Sequence, residues 1–390
     1  MRRVKKAIIF IIVVTPLLVA TFFGLKARSL YKKNQHLGST PLPYYFGEQA
    51  KRHMGLFSPI DGTAIEEANL LFIGGKDAIS FLRYKKTLQK GISLDLTNPM
   101  KIYPLVHSDE NIHRLMTRLN ELVSWPKITI FLGGESEGHE KIFEIEEYDK
   151  ILNNLKRFAN VKLQTVIDLF PFTARLIYRP FTQIKLDETV KKDKQPYFDF
   201  EHQKLMELKY KFFEIQLESL VRLSRVKKSH LILMTSPINL RVLPKRVCSN
   251  SKNQESAQLH KKIFLLLKHE SYKEAFTESK KAVEKFEGNA LSHYLKGITL
   301  SKLGRTEEAI EALLASTAFD CRLWRSNLVT NSIIRKISRK FSVPLFDYEE
   351  FINSDFGKNT LFQDKVTPQD FYTEKAARAL GLRLKNLLQL

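Results

Sequence analysis

Apolar positions along the chain follow three regimes. The first is an unbroken block over residues 7–25 (AIIFIIVVTPLLVATFFGL), 19 residues without a charge, preceded by Arg2, Arg3, Lys5 and Lys6. About 20 apolar residues cross a bilayer core, and a proline such as Pro16 is tolerated inside a membrane helix. The block predicts an uncleaved N-terminal anchor over residues 1–28. A cleaved signal peptide is the alternative, but the run is long for that role and no small-x-small cleavage site follows it. No cysteine lies near its end, which argues against a lipoprotein. Lys26, Arg28, Lys32 and Lys33 nearly balance the leading charges. The short leading segment tips the orientation towards N-terminus inside. The expected location is therefore the cell (inner) membrane, single-pass, with the bulk of the chain extracytoplasmic, in the periplasm.

After a Gly-, Pro- and Tyr-containing stretch read as a stalk (residues 29–66), the second regime alternates short apolar runs with helical periodicity. Strands are predicted at 69–73, 102–105, 127–132, 230–235 and 343–346. Helices are predicted at 77–89, 110–123, 146–158, 163–178, 201–226, 327–341 and 370–388. In the long helix Leu205, Leu208, Phe212, Ile215, Leu220 and Leu223 share one side. Alternating elements of these lengths predict an α/β fold, a parallel sheet sandwiched by helices. The charged stretch 185–196 reads as a loop.

The third regime is helical throughout, over residues 258–320, and carries an internal repeat. Ala275 and Ala309 are 34 residues apart, as are Ala282 and Ser316. Gly297, Leu300, Gly304, Ala309 and Leu313 fit the small and large positions of a tetratricopeptide repeat. Two repeats cannot form a solenoid alone, so the block is expected to lean on the α/β body. It reads as an insertion (251–320) between a first part (67–250) and a second part (321–390) of one domain. Such repeats commonly bind a protein partner; the plainer reading is that they cap the domain. Cys248 and Cys321 bracket the insertion; a clamping disulfide and two free thiols both remain open. No CxxC or Cys/His metal pattern occurs.

With 43% hydrophobic residues the chain is too apolar for general disorder. The net charge of +21 favours anionic partners, such as envelope polymer or lipid. The basic residues are spread out with no nucleic-acid motif, so a solvated Lys-rich surface explains most of the charge and nucleic acid is not an expected partner.

Several blocks occur in a telling order: Gly74-Gly75 after the first strand, Gly134-Glu-Ser-Glu137 after the third, Thr235-Ser-Pro-Ile-Asn-Leu-Arg241, the repeats, and Leu361-Phe-Gln-Asp-Lys-Val-Thr-Pro368. Together with the N-terminal anchor, this order resembles bacterial SGNH/GDSL-hydrolase-like proteins with inserted tetratricopeptide repeats. The resemblance implies an SGNH-like (flavodoxin-like) sheet and a site at its carboxyl edge. Active members of that family use a serine after the first strand, oxyanion-hole donors, and an Asp-x-x-His pair near the C-terminus. Here the serine position holds Lys76, the Asn of the third block is Ser136, Asp364 is kept and the His position is Thr367. A lysine acts as nucleophile only if its pKa is lowered, and threonine is no general base. The relict site Lys76, Ser136, Asp364 and Thr367 therefore predicts a pseudo-hydrolase, with Lys76 paired to Asp364 as a structural contact and with no cofactor and no metal. A shifted register would instead use Ser80 or Ser136 with His139. The acidic run Glu135, Glu137, His139, Glu140 and Glu144 matches no known metal loop and reads as solvated. The expected function is a cell-envelope scaffold or binding protein, with esterase, O-acyl transferase or deacetylase activity as the rival.

Overall fold

The computed structural model describes residues 2–37, 61–92, 100–138, 145–158, 160–173, 199–245, 247–248, 254–322 and 324–388. Within helices, the side chains of residues 2–14, 33–37, 117, 120–121, 154–158 and 387–388 are outside that description. In chain order the elements are α1 (Arg2–Leu37), α2 (Gly62–Glu66), β1 (Leu70–Gly74), α3 (Lys76–Leu82), α4 (Lys85–Ile92), β2 (Ile102–Val106), α5 (Ile112–Glu121) and β3 (Ile128–Leu132). They continue with α6 (Tyr148–Phe158), α7 (Val161–Leu169), α8 (Asp199–Val226), β4 (His230–Met234), α9 (Gln254–Lys268), α10 (Tyr272–Lys285), α11 (Ala290–Lys302) and α12 (Thr306–Phe319). The last are α13 (Leu328–Phe341), β5 (Leu345–Phe346), α14 (Tyr348–Asn353) and α15 (Asp370–Leu388). The chain divides into two compact units, residues 1–48 with 146–183, and residues 49–145 with 184–390.

In the larger unit five parallel strands lie in the order β2-β1-β3-β4-β5. β1 and β3 are buried at every residue, as central parallel strands covered on both faces must be. β2 carries Pro104 and sits at an edge, where the missing N–H costs no ladder bond. The pleat splits side chains between two cores. Leu70, Phe72, Ile130, Leu132 and Met234 join residues of α3, α4, α12, α14 and α15 on one face. Leu71, Ile73, Phe131, Leu231 and Leu233 join residues of α5, α8 and α13 on the other. The α/β expectation is met.

The four helices α9–α12 form two consecutive hairpins. Ala275, Ala309 and Ala282 are fully buried and Ser316 nearly so, which puts the 34-residue offset on the helix-contact faces. Leu300, Ala309, Ala312 and Leu313 belong to the sheet's own core cluster, so the second hairpin does lean on the α/β body. Cys248 and Cys321 are joined by a disulfide, with Cα atoms 5.8 Å apart and 73 residues between them. The antiparallel bridge Val247–Asp320 lies beside it.

Several boundaries differ from the sequence reading. The stalk's first part is a continuation of α1 to Leu37, and its last part is α2, whose Ile65 is fully buried in the sheet core; residues 38–60 lie outside the described residues. The expected helix 77–89 is broken into α3 and α4. The expected helix 163–178 is α7, closing at Leu169 into a 3₁₀ turn, Pro171–Thr173, because Pro171 cannot extend the helical ladder; residues 174–178 and the loop 185–196 lie outside the described residues. In the smaller unit α1 is one helix through Pro16. Among the described residues no helix is long and apolar enough to cross a membrane, and residues 7–14 of the apolar run fall outside the side chains so described.

Candidate functional site

Order 2-1-3-4-5 places a topological switch point between β1 and β3, where the first connections leave in opposite directions and open a crevice at the carboxyl ends of the strands. The turn out of β1 is built on Gly74. Its φ is +149°, and a Cβ there would stand 1.8 Å from the Leu132 carbonyl oxygen of β3. Only glycine lets the two central strands end side by side and α3 begin at once.

A cavity of about 460 Å³ occupies this crevice. Lys76 and Asp77 enter it from the start of α3, Glu135 from the turn after β3, and Pro237 and Asn239 from the segment after β4. Trp324, Arg325 and Ser326 come from the segment before α13, and Asp364 and Lys365 from the one before α15.

Asp77 and Glu135 form its floor. The Asp77 N–H donates to Glu135 Oε1 at 3.3 Å. A Cβ on Gly75 would lie 2.0 Å from that same oxygen, so the glycine makes room for the carboxyl. Burial pushes Asp77 up to about 7, against a lowering hydrogen bond with Ser236 and the field of Lys76. Burial and the neighbouring Asp77 raise Glu135 well above the ordinary carboxylate range. Near neutral pH the pair therefore keeps a proton. Two buried polar atoms at this cavity have no hydrogen-bond partner, Glu135 Oε2 and Ser326 Oγ. Arg325 is buried; desolvation lowers it to about 10, so it stays charged, and it donates to the carbonyls of Asn239 and Val242. Trp324 is flanked by Lys245 Nζ at 3.6 Å and the Arg325 guanidinium at 4.9 Å from the ring centre.

The four relict positions meet only in part. Lys76 and Asp364 line the cavity. Thr367 is attached through Asp364, whose Oδ1 accepts from the N–H groups of Val366 (2.7 Å) and Thr367 (2.6 Å). Burial alone would raise Asp364, but these bonds outweigh it and hold the carboxyl below its usual range. Ser136 is wholly buried beside Glu135 and does not line the cavity; its Oγ donates to the Ser108 carbonyl at 3.4 Å. The expected Lys76–Asp364 pair is absent: no ion pair joins them among the described residues, and Lys76 acts only through its field. Lys76 sits exposed at the rim, where water solvates its charge.

Of the rival register only the serines are described. Ser80 is half-buried inside α3, and His139 lies outside the described residues. Among the described residues no histidine lines the cavity. A Ser–His hydrogen bond exists elsewhere, His260 Nε2 to Ser292 Oγ at 2.8 Å, but Ser292 is fully buried between α9 and α11 and cross-links them. The acidic run is also not a solvated loop where it is described. Glu135 and Glu137 are buried, and Glu137 Oε1 accepts from the Ile112 N–H at the start of α5. Glu140 and Glu144 lie outside the described residues, and no group of acidic, His or Cys side chains suited to a metal occurs among the described ones.

The sequence reading missed Asp77, Glu135 as a floor group, and the Trp324-Arg325-Ser326 segment. Asp77 carried a signal as the neighbour of Lys76; Trp324–Ser326 carried none, because only the returning chain brings them to the crevice. Comparison of the chain with protein-family models, with curated proteins and with solved structures finds no match.

Proposed function

We propose that this chain is a membrane-anchored, extracytoplasmic pseudo-hydrolase of SGNH-like fold that binds a small polar ligand at the switch-point crevice and does not cleave it. The observation that carries this reading is the crevice's contents: two buried polar atoms without a partner, a buried pair of carboxyls that keeps a proton near neutral pH, and, among the described residues, no histidine lining it. A buried polar atom without a partner costs about 1–3 kcal/mol, and two on residues that line one cavity favour a bound group or ordered water that satisfies them.

Anchoring is supported by α1 itself. Leu17, Leu18, Val19, Phe22, Phe23 and Leu25 are all exposed and wrap more than half the helix circumference. A helix apolar on most sides belongs in a protein core or a bilayer. The disulfide agrees with an oxidising compartment outside the cytoplasm. The hairpins α9–α12, read as tetratricopeptide repeats, would contact a protein partner. In support, a groove of about 770 Å³ along α9 combines the exposed Phe264 and Leu265 with Lys261 and Lys268.

The test uses the full chain in detergent with p-nitrophenyl acetate and a fluorophosphonate probe. The expected result is no labelling and no turnover above that of the Glu135→Gln variant. Turnover abolished by Lys76→Ala or Ser136→Ala would establish the esterase reading instead. Crosslinking in membranes, with and without substitution of Phe264 and Leu265, tests the partner surface.

A further inference from the structure

Within the smaller unit, α7 packs along α1, and the corner that follows it meets the end of the apolar run. Phe170 stacks on Phe23 of α1 with ring centres 5.7 Å apart, and Phe172 lies 6.1 Å from Phe170. These contacts leave the aromatics largely uncovered: Phe172 is 69% exposed, Val166 41% and Phe170 39%. The opposite side of α7 buries Gln164, Thr165 and Ile167. Three large apolar side chains thus project together from a short helix and a proline-stiffened turn.

We propose that the Phe170-Pro171-Phe172 corner is a second membrane contact, an aromatic wedge that lies at the lipid headgroup boundary beside the α1 anchor. This rests on the reading of residues 7–25 as membrane-spanning. Phe23 stands two residues before Leu25, about 3 Å along the axis from the end of the apolar run. The ring stacked on it is therefore level with the zone where hydrocarbon gives way to headgroups, the depth at which amphipathic aromatic elements partition. The flanking charges agree. Lys26, Arg28 and Lys32 follow on α1 at the depth of lipid phosphates, and residues 15–32 contain no carboxylate. Lys162 is exposed at the start of α7, and the carboxylate there, Asp168, is held by Gln164 Nε2 at 2.8 Å. A protein partner would need its own apolar patch at that same depth, whereas the bilayer already supplies one.

The test reconstitutes the full chain into phosphatidylcholine–phosphatidylglycerol vesicles. A single thiol is placed by Phe172→Cys and labelled with an environment-sensitive fluorophore; the native cysteines are disulfide-bonded and do not compete. Thr173→Cys repeats the measurement with both phenylalanines kept. The expected result is blue-shifted emission, strong quenching by lipids nitroxide-labelled near the headgroup, and several-fold less iodide quenching than a label at the exposed Lys302→Cys. A label as open to iodide as that reference overturns the wedge. Protection from iodide without lipid quenching overturns it as well, because a protein surface then covers the corner. Alkaline carbonate extraction of the same vesicles separates the two readings: release of the chain removes the anchor, whereas retention with an unquenched label removes the wedge alone.

Discussion

Replacing Asp77 by asparagine should make the protein more stable at pH 8.5 and leave it unchanged near pH 4. Burial raises the carboxyl from its ordinary 3.8 to about 7. The folded protein therefore holds this proton through a pH range in which the unfolded chain has released it. The contribution favours folding fully below pH 3.8 and is lost as pH rises towards 7; above that both states are ionised and the fold bears the cost of a buried charge. About three pKa units correspond to about 4 kcal/mol. Asp77 is only half-buried, and water in the crevice screens the charge, which brings the expected cost to about 2 kcal/mol. An amide keeps the hydrogen bond to Ser236 in either sense, so asparagine removes the charge and little else. For a unit of this size the difference in Tm between variant and parent should grow by about 5 °C from pH 5 to pH 8.5. The assay is thermal unfolding of the full chain in detergent across that range, with Glu135→Gln in parallel. Parallel profiles for Asp77→Asn and the parent would refute the assignment. A flattened profile in Glu135→Gln alone would place the proton on Glu135 instead.

Two further outcomes follow from burial and chain topology. Cys248→Ser with Cys321→Ser should cost about 4 kcal/mol, the chain entropy of closing the loop around the hairpins, read as a shift in the urea midpoint that reductant reproduces in the parent. Arg118→Met should cost about 3–5 kcal/mol at pH 8, because it strands Glu110, a buried carboxyl that the Arg118 guanidinium holds at 2.7 Å. Burial already pushes Glu110 up to about 7, so protonation should relieve much of that cost at pH 5. An equal penalty at both pH values would show that packing of the Arg118 stem, not its charge, is what matters.

Much of the architecture was written in short-range pattern. β1, β3 and β4 are runs of apolar residues that no solvated element would carry, and α15 begins and ends where its periodicity does, Asp370–Leu388. The 34-residue offset of small residues marked two stacked hairpins, because only small side chains let helix axes approach closely. Gly74-Gly75 and the block from Thr235 to Arg241 marked the crevice, since both follow strands directly. Tertiary contacts decided what the crevice contains. Whether Asp77 holds a proton depends first on its burial in the folded chain, and then on Ser236 and Asp364, which distant segments bring to its side. Trp324, Arg325 and Ser326 reach the site only because the hairpins return the chain there, under the clamp of Cys248 and Cys321. Strand and helix identity is set by neighbours a few residues apart, which a sequence displays. Charge state, burial and unpaired hydrogen-bonding atoms depend on groups brought together from distant segments, and only the folded chain sets those distances.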